Sequence, residues 1–139
     1  MIKAWIAFAS VAISALTVMS AHAYEPERAK SNYGNELARC AAYLTIAEGC
    51  IENTDPGKAA GDSLRSAAVA AYAMAVTSSG EDVAAARVQL EINEISELIE
   101  NQCANIAVAI RKYHDDCAQA IGDPETRYQY WLAKEDEEE

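Results

Sequence analysis

Residues 91–117 read EINEISELIENQCANIAVAIRKYHDDC. The apolar positions Ile92, Ile95, Ile99, Cys103, Ile106, Ile110, Tyr113 and Cys117 advance by steps of three or four, the repeat of one face of an α-helix. Glu91, Glu94, Glu97 and Glu100 fall off that stripe as a carboxylate ridge. No Gly or Pro lies between Glu81 and Ala120, so the spacing predicts one long amphipathic helix over 81–120 with two cysteines in its seam.

Those two cysteines restrict the disulfide pattern. Four cysteines, Cys40, Cys50, Cys103 and Cys117, allow three pairings. On an intact helix Cys103 and Cys117 stand about 21 Å apart, whereas a disulfide needs Cα atoms within roughly 7 Å. Of the two remaining sets, the nested one (Cys40–Cys117 with Cys50–Cys103) has residue numbers summing to 157 and 153. Facing residues of an antiparallel hairpin keep a nearly constant sum, and these centre near 78.5 and 76.5, on the turn signal around Thr77 to Gly80. The crossed set has centres 12 residues apart. The nested pairing is therefore expected.

Working outward, Tyr33, Leu37, Cys40, Leu44 and Ala47 recur at helical spacing, and a first helix is expected over Glu27–Glu48 with Gly49 ending it. Asn53-Thr54-Asp55-Pro56-Gly57 is a turn signal, with Thr54 or Asp55 as cap and Pro56 in the first helical turn. An alanine-rich second helix, Pro56 to Thr77, follows. Ser78 with Glu81, or Ser79 with Asp82, offers a capping box for the third. Ile121-Gly122 stops the long helix, and Asp123 caps a short last helix with Pro124 at its first position. The expected fold is all-α: a long disulfide-stapled antiparallel hairpin, two helices on one arm and one long helix on the other, plus a short C-terminal helix. The alternative is a four-helix bundle in which the third helix breaks near Asn101 to Asn105.

Residues 1–23 place one basic residue, Lys3, before an apolar run and the Ala-x-Ala of Ala21-His22-Ala23. This is the pattern of a cleavable signal peptide, shorter than the roughly 20 apolar residues that span a bilayer. Residues 24–134 form a single helical domain, and 135–139, Glu-Asp-Glu-Glu-Glu, an acidic tail expected to fray. Lys3 is the only charged residue of the leader, so the remainder keeps 10 basic against 22 acidic side chains, a net charge of −12. Such a surface repels phosphate backbones and anionic lipid, which excludes nucleic acid and, after cleavage, the membrane as partners. An even cysteine count in an exported chain reads as disulfides, formed in the periplasm or outside the cell.

Few residues suggest chemistry. Apart from the leader, His114 is the only histidine; with Asp115 and Asp116 beside it, it projects from a different side of the helix than they do, and its position near a helix C-terminus suits the dipole. Glu91, Glu94 and His114 are the only metal-ligand candidates, and the Glu-x-x-His partner that helical di-metal sites use is absent. There is no Cys-x-x-Cys, no Gly-x-Ser-x-Gly, and four cysteines at spacings of 10 and 14 do not converge as zinc ligands. No cofactor is expected, and the chain reads as non-enzymatic. Tyr128, Trp131 and Leu132 share a face of the last helix and are a candidate interaction surface, although such residues usually close a core. The function expected is protein–protein contact, as an inhibitor, an adaptor or a small envelope chaperone, with a protein partner or a second copy of the chain. The alternative is a carrier of a small ligand or divalent metal.

Overall fold

A computed structural model describes residues 26–54 and 59–134. The leader, the Asp55-Pro56-Gly57 turn and the acidic tail lie outside the described residues. All regular structure among the described residues is helical: α1 (Pro26–Thr54), α2 (Ala59–Ser79), α3 (Glu81–Leu98), a single 3-10 turn (Cys103–Asn105), α4 (Ile106–Gly122) and α5 (Pro124–Ala133). None of these helices is long and apolar enough to cross a membrane.

The two disulfides are Cys40–Cys117 and Cys50–Cys103, the nested set. The route between them differs from the two-armed hairpin. α2 does not extend α1 but lies beside it, antiparallel: Gly34 near the start of α1 meets Ser78 and Ser79, while Glu48 and Glu52 near its end bind Arg65. α3 then runs parallel to α1, with Arg87 on Ser31, Glu91 on Arg39 and Cys103 bonded to Cys50. Continued straight, α3 would carry Cys117 away from Cys40. The chain instead reverses after Ile99, and α4 returns antiparallel to α1. This is the four-helix alternative, with the break where Asn101 and Asn105 stand.

The reversal has a definite local chemistry. Glu100 and Asn101 both take left-handed backbone, each with φ 55°, and Gln102 is extended. Asparagine tolerates that region through local hydrogen bonding; glutamate does so at a cost. Asn105 Nδ2 donates to the Ile99 carbonyl at 3.1 Å, which also accepts the Gln102 N–H at 3.0 Å, so backbone and side chain together close the helix end. The apolar stripe runs on through Ile99, Cys103 and Ile106 regardless, but beyond the reversal its member Ile110 is exposed, and α4 buries Ala109, Tyr113 and Cys117 instead.

Two local expectations are also corrected. Gly49 does not stop the first helix, which continues to Thr54. Ser78 and Ser79 cap nothing: each donates its hydroxyl to the carbonyl four residues back, Met74 and Ala75, and α2 runs to Ser79. Gly80, at φ 84°, makes the turn alone, a conformation in which glycine carries no Cβ penalty. Asp123 does cap α5, accepting from the Thr126 N–H at 3.2 Å, with Pro124 in the first turn.

α1 is the axis of the molecule. It packs against every other helix, while α3 and α4, and α2 and α4, barely meet. Its alanines Ala38, Ala41 and Ala42 are buried along with the expected stripe, so the helix is enclosed on more than one face. Small side chains allow this crowding; Leu37, Ile95 and Cys40 are the largest wholly buried ones.

Candidate functional site

Because α1 is enclosed, its buried charged residues, Glu36 and Glu48, must be paired where they stand. Glu36, 7% exposed, takes both oxygens to Arg127 Nε at 3.0 Å, bonds Arg127 Nη2 as well, and accepts the Trp131 indole N–H at 2.8 Å. Arg127 also reaches Gln119 at 2.8 Å and Asp116 at 3.1 Å, and lies over the Tyr130 ring. Hydrogen bonding to Glu36 holds its guanidinium above the ordinary arginine pKa. Glu48 binds Arg65, and Arg39 binds Glu91 at 3.0 Å. α2, α3 and α5 are thus each fastened to α1 by an arginine–glutamate pair, and α4 by the Cys40–Cys117 bond and the Tyr33 hydroxyl on the Ala120 carbonyl, 2.9 Å. These are structural fasteners.

The residues singled out from the sequence fall into this scheme. Tyr128 and Trp131 are half-buried against the core: Tyr128 meets Tyr33 in a tilted ring contact, centres 6.0 Å apart and planes at 58°, and Lys134 lies over Trp131. Leu132 is half-buried beside them. Glu91 is engaged by Arg39, Glu94 is exposed, and His114 stands on another helix. No group of three His, Cys, Asp or Glu converges as metal ligands among the described residues.

Two surface features were not anticipated, and both involve α2. The first is its outer face. About one residue in four of the chain is charged, yet none is between Arg65 and Glu81. Ser66, Val69, Ala70, Ala73 and Thr77 are exposed along this stretch, Val69 by 63%, over about 16 Å of helix. Val69 and Tyr72 also border an opening of about 240 Å³ above α1, with Val88 of α3 on its far wall.

The second is a cavity of about 280 Å³ on the other flank of α2, where α2 and α4 stand apart above α1. Leu44, Ala67, Ala118 and Ile121 line it, the Cys117 end of a disulfide adjoins it, and His114 stands at its exposed edge. Tyr43, only 2% exposed, forms part of the wall, its ring 6.0 Å from that of Tyr113. Burial pushes the Tyr43 phenol above its ordinary pKa. The sequence signal for Tyr43 was its position, one residue off the stripe of α1.

No protein-family model, no curated protein and no solved structure matches this chain.

Proposed function

We propose that this chain is exported through residues 1–23 and acts in the periplasm or outside the cell as a non-enzymatic helical protein, through protein–protein contact made by the outer face of α2. Two disulfides and helices too short or too polar to cross a membrane are compatible with that location. The observation that carries the reading is the uncharged, exposed run Ser66 to Thr77 on an otherwise strongly acidic protein. Contact surfaces are depleted of charge at their centres, since each unpaired charge buried there is costly. Alanine at Ala70 and Ala73 leaves the backbone open to close approach, and Val69 with Tyr72 supplies an apolar edge.

The test is capture from the native envelope by the wild-type protein and by Val69→Glu with Ala73→Glu, together with molecular mass by size exclusion at two concentrations. A partner, or a second copy, held by the wild type and lost by the double variant supports the reading. Identical capture and identical mass for both proteins overturn it. Both substitutions are at exposed positions, so circular dichroism of the variant should match that of the wild type.

A further inference from the structure

We infer that the cavity between α2 and α4 is a binding site for a small, neutral, mainly apolar molecule carrying one hydrogen-bond-accepting oxygen, with the Tyr43 hydroxyl as its donor. This site lies on the opposite flank of α2 from Val69 and does not depend on the protein contact proposed above.

Size gives the first constraint. An apolar cavity of about 150 Å³ holds benzene, and the 280 Å³ here accommodates a six-membered ring with a two- or three-atom substituent. The lining gives the second. Leu44, Ala67, Ala118 and Ile121 present only carbon, and apolar surface dominates such sites, a few placed polar groups setting orientation.

Tyr43 gives the third. Its hydroxyl donates to no described residue, in contrast to Tyr33, which reaches the Ala120 carbonyl. No fully enclosed side-chain oxygen or nitrogen lacks a partner among the described residues. The Tyr43 hydroxyl is therefore not fully enclosed, although the residue is only 2% exposed, and the cavity that Tyr43 helps to line is where we place its opening. Buried tyrosines ordinarily find a partner for the O–H, and an acceptor oxygen on the occupant completes this one.

Charge gives the fourth. The only ionisable side chains on the lining are Tyr43 and His114, and the protein as a whole is strongly acidic. A carboxylate would be repelled on approach and left without a buried cation; an ammonium would find no buried carboxylate in the wall. A neutral ketone, ester or phenol meets neither obstacle.

Acetophenone, ethylbenzene and benzoate share a ring and differ in the group that matters. Titrated into the oxidised protein and followed by amide chemical shifts, acetophenone is expected to give saturable shifts around Ala67, Ala118 and Ile121, and ethylbenzene weaker binding. Benzoate is expected not to bind. Tyr43→Phe, which keeps the ring, should reduce the preference for acetophenone over ethylbenzene by about fivefold, one hydrogen bond's worth. Ala118→Phe, at an exposed edge of the cavity, should fill it and abolish binding of both while leaving the disulfides and circular dichroism unchanged. Absence of saturable shifts with acetophenone at millimolar concentration, binding unaffected by Ala118→Phe, or a preference unaltered in Tyr43→Phe would each overturn the assignment.

Discussion

Trp131 donates its indole N–H to Glu36, 95 residues earlier in the chain, at 2.8 Å, while Arg127 of the same short helix holds the other side of that carboxylate. Glu36→Ala would leave Arg127, itself mostly buried, with only the exposed Asp116 at 3.1 Å as counter-charge. Removing one partner of a buried pair costs about 3–5 kcal/mol. Urea denaturation should show a loss of that order, and Trp131 fluorescence should shift toward that of a solvated indole as α5 detaches. Trp131→Phe keeps an aromatic ring, though a smaller one, and the ion pair, and should cost less, about 1 kcal/mol for the hydrogen bond plus the lost packing of the larger indole.

Tyr33 should make the fold sensitive to alkali. Burial, and secondarily the charge of Glu36, push its phenol from 10.0 up to about 12. A pKa raised in the folded state means that its contribution to stability is complete below about pH 10 and is lost as pH rises toward about 12. Ionisation also removes the proton donated to Ala120. Urea midpoints measured across this window should fall for the wild type and fall less steeply for Tyr33→Phe.

The disulfides enclose 77 and 53 residues of sequence separation. Peptide mapping without reduction should recover Cys40 with Cys117 and Cys50 with Cys103. Replacing either pair by serine should cost up to about 4 kcal/mol on the chain-entropy model, a large fraction of the stability of a domain this size.

Glu100 sits in left-handed backbone at an exposed position. Glu100→Gly should raise stability against urea by up to about 1 kcal/mol, because glycine adopts that conformation without a Cβ clash, the gain being reduced by loss of the exposed 3.2 Å bond that the Glu100 carboxylate accepts from Asn105. Asn105→Ala should lower it by about 1 kcal/mol, through the lost bond to the Ile99 carbonyl. Opposite signs at two neighbouring positions would mark the reversal as a built turn.

Much of this was readable in the residues. Helical class follows from the three-and-four stepping of Ile92 to Cys117, the last helix from Asp123-Pro124, and the disulfide pairing from the impossibility of joining Cys103 to Cys117 together with residue sums that centre on the turn signal at Thr77 to Gly80. Yet that pairing presumes one unbroken return helix, and it holds because, of the two helices that stand in its place, α4 and not α3 runs antiparallel to α1. The break escaped because periodicity records which face is apolar and not whether the backbone keeps its direction; Ile99, Cys103 and Ile106 stay in phase across it. Asn101 and Asn105 were the only marks, and asparagine occurs inside helices too. The arginine–glutamate fasteners join residues as far apart as Glu36 and Arg127, so no local pattern could announce them. Tyr43 was hidden for the related reason that a single stripe was assigned to a helix that is enclosed on several faces.

The axial position of α1 bears on how the correct bonds come to form. Synthesis delivers this helix first, with Cys40 and Cys50 both reduced and each other's nearest neighbours in the chain. Coiled, that segment would let the two thiols meet and close a small wrong ring. Wound as a helix, it separates them by about 15 Å, out of disulfide reach. The alanines that let its neighbours crowd round it also favour the helix before any neighbour has arrived. The same composition that thins the core thereby reserves each thiol for a partner made more than fifty residues later.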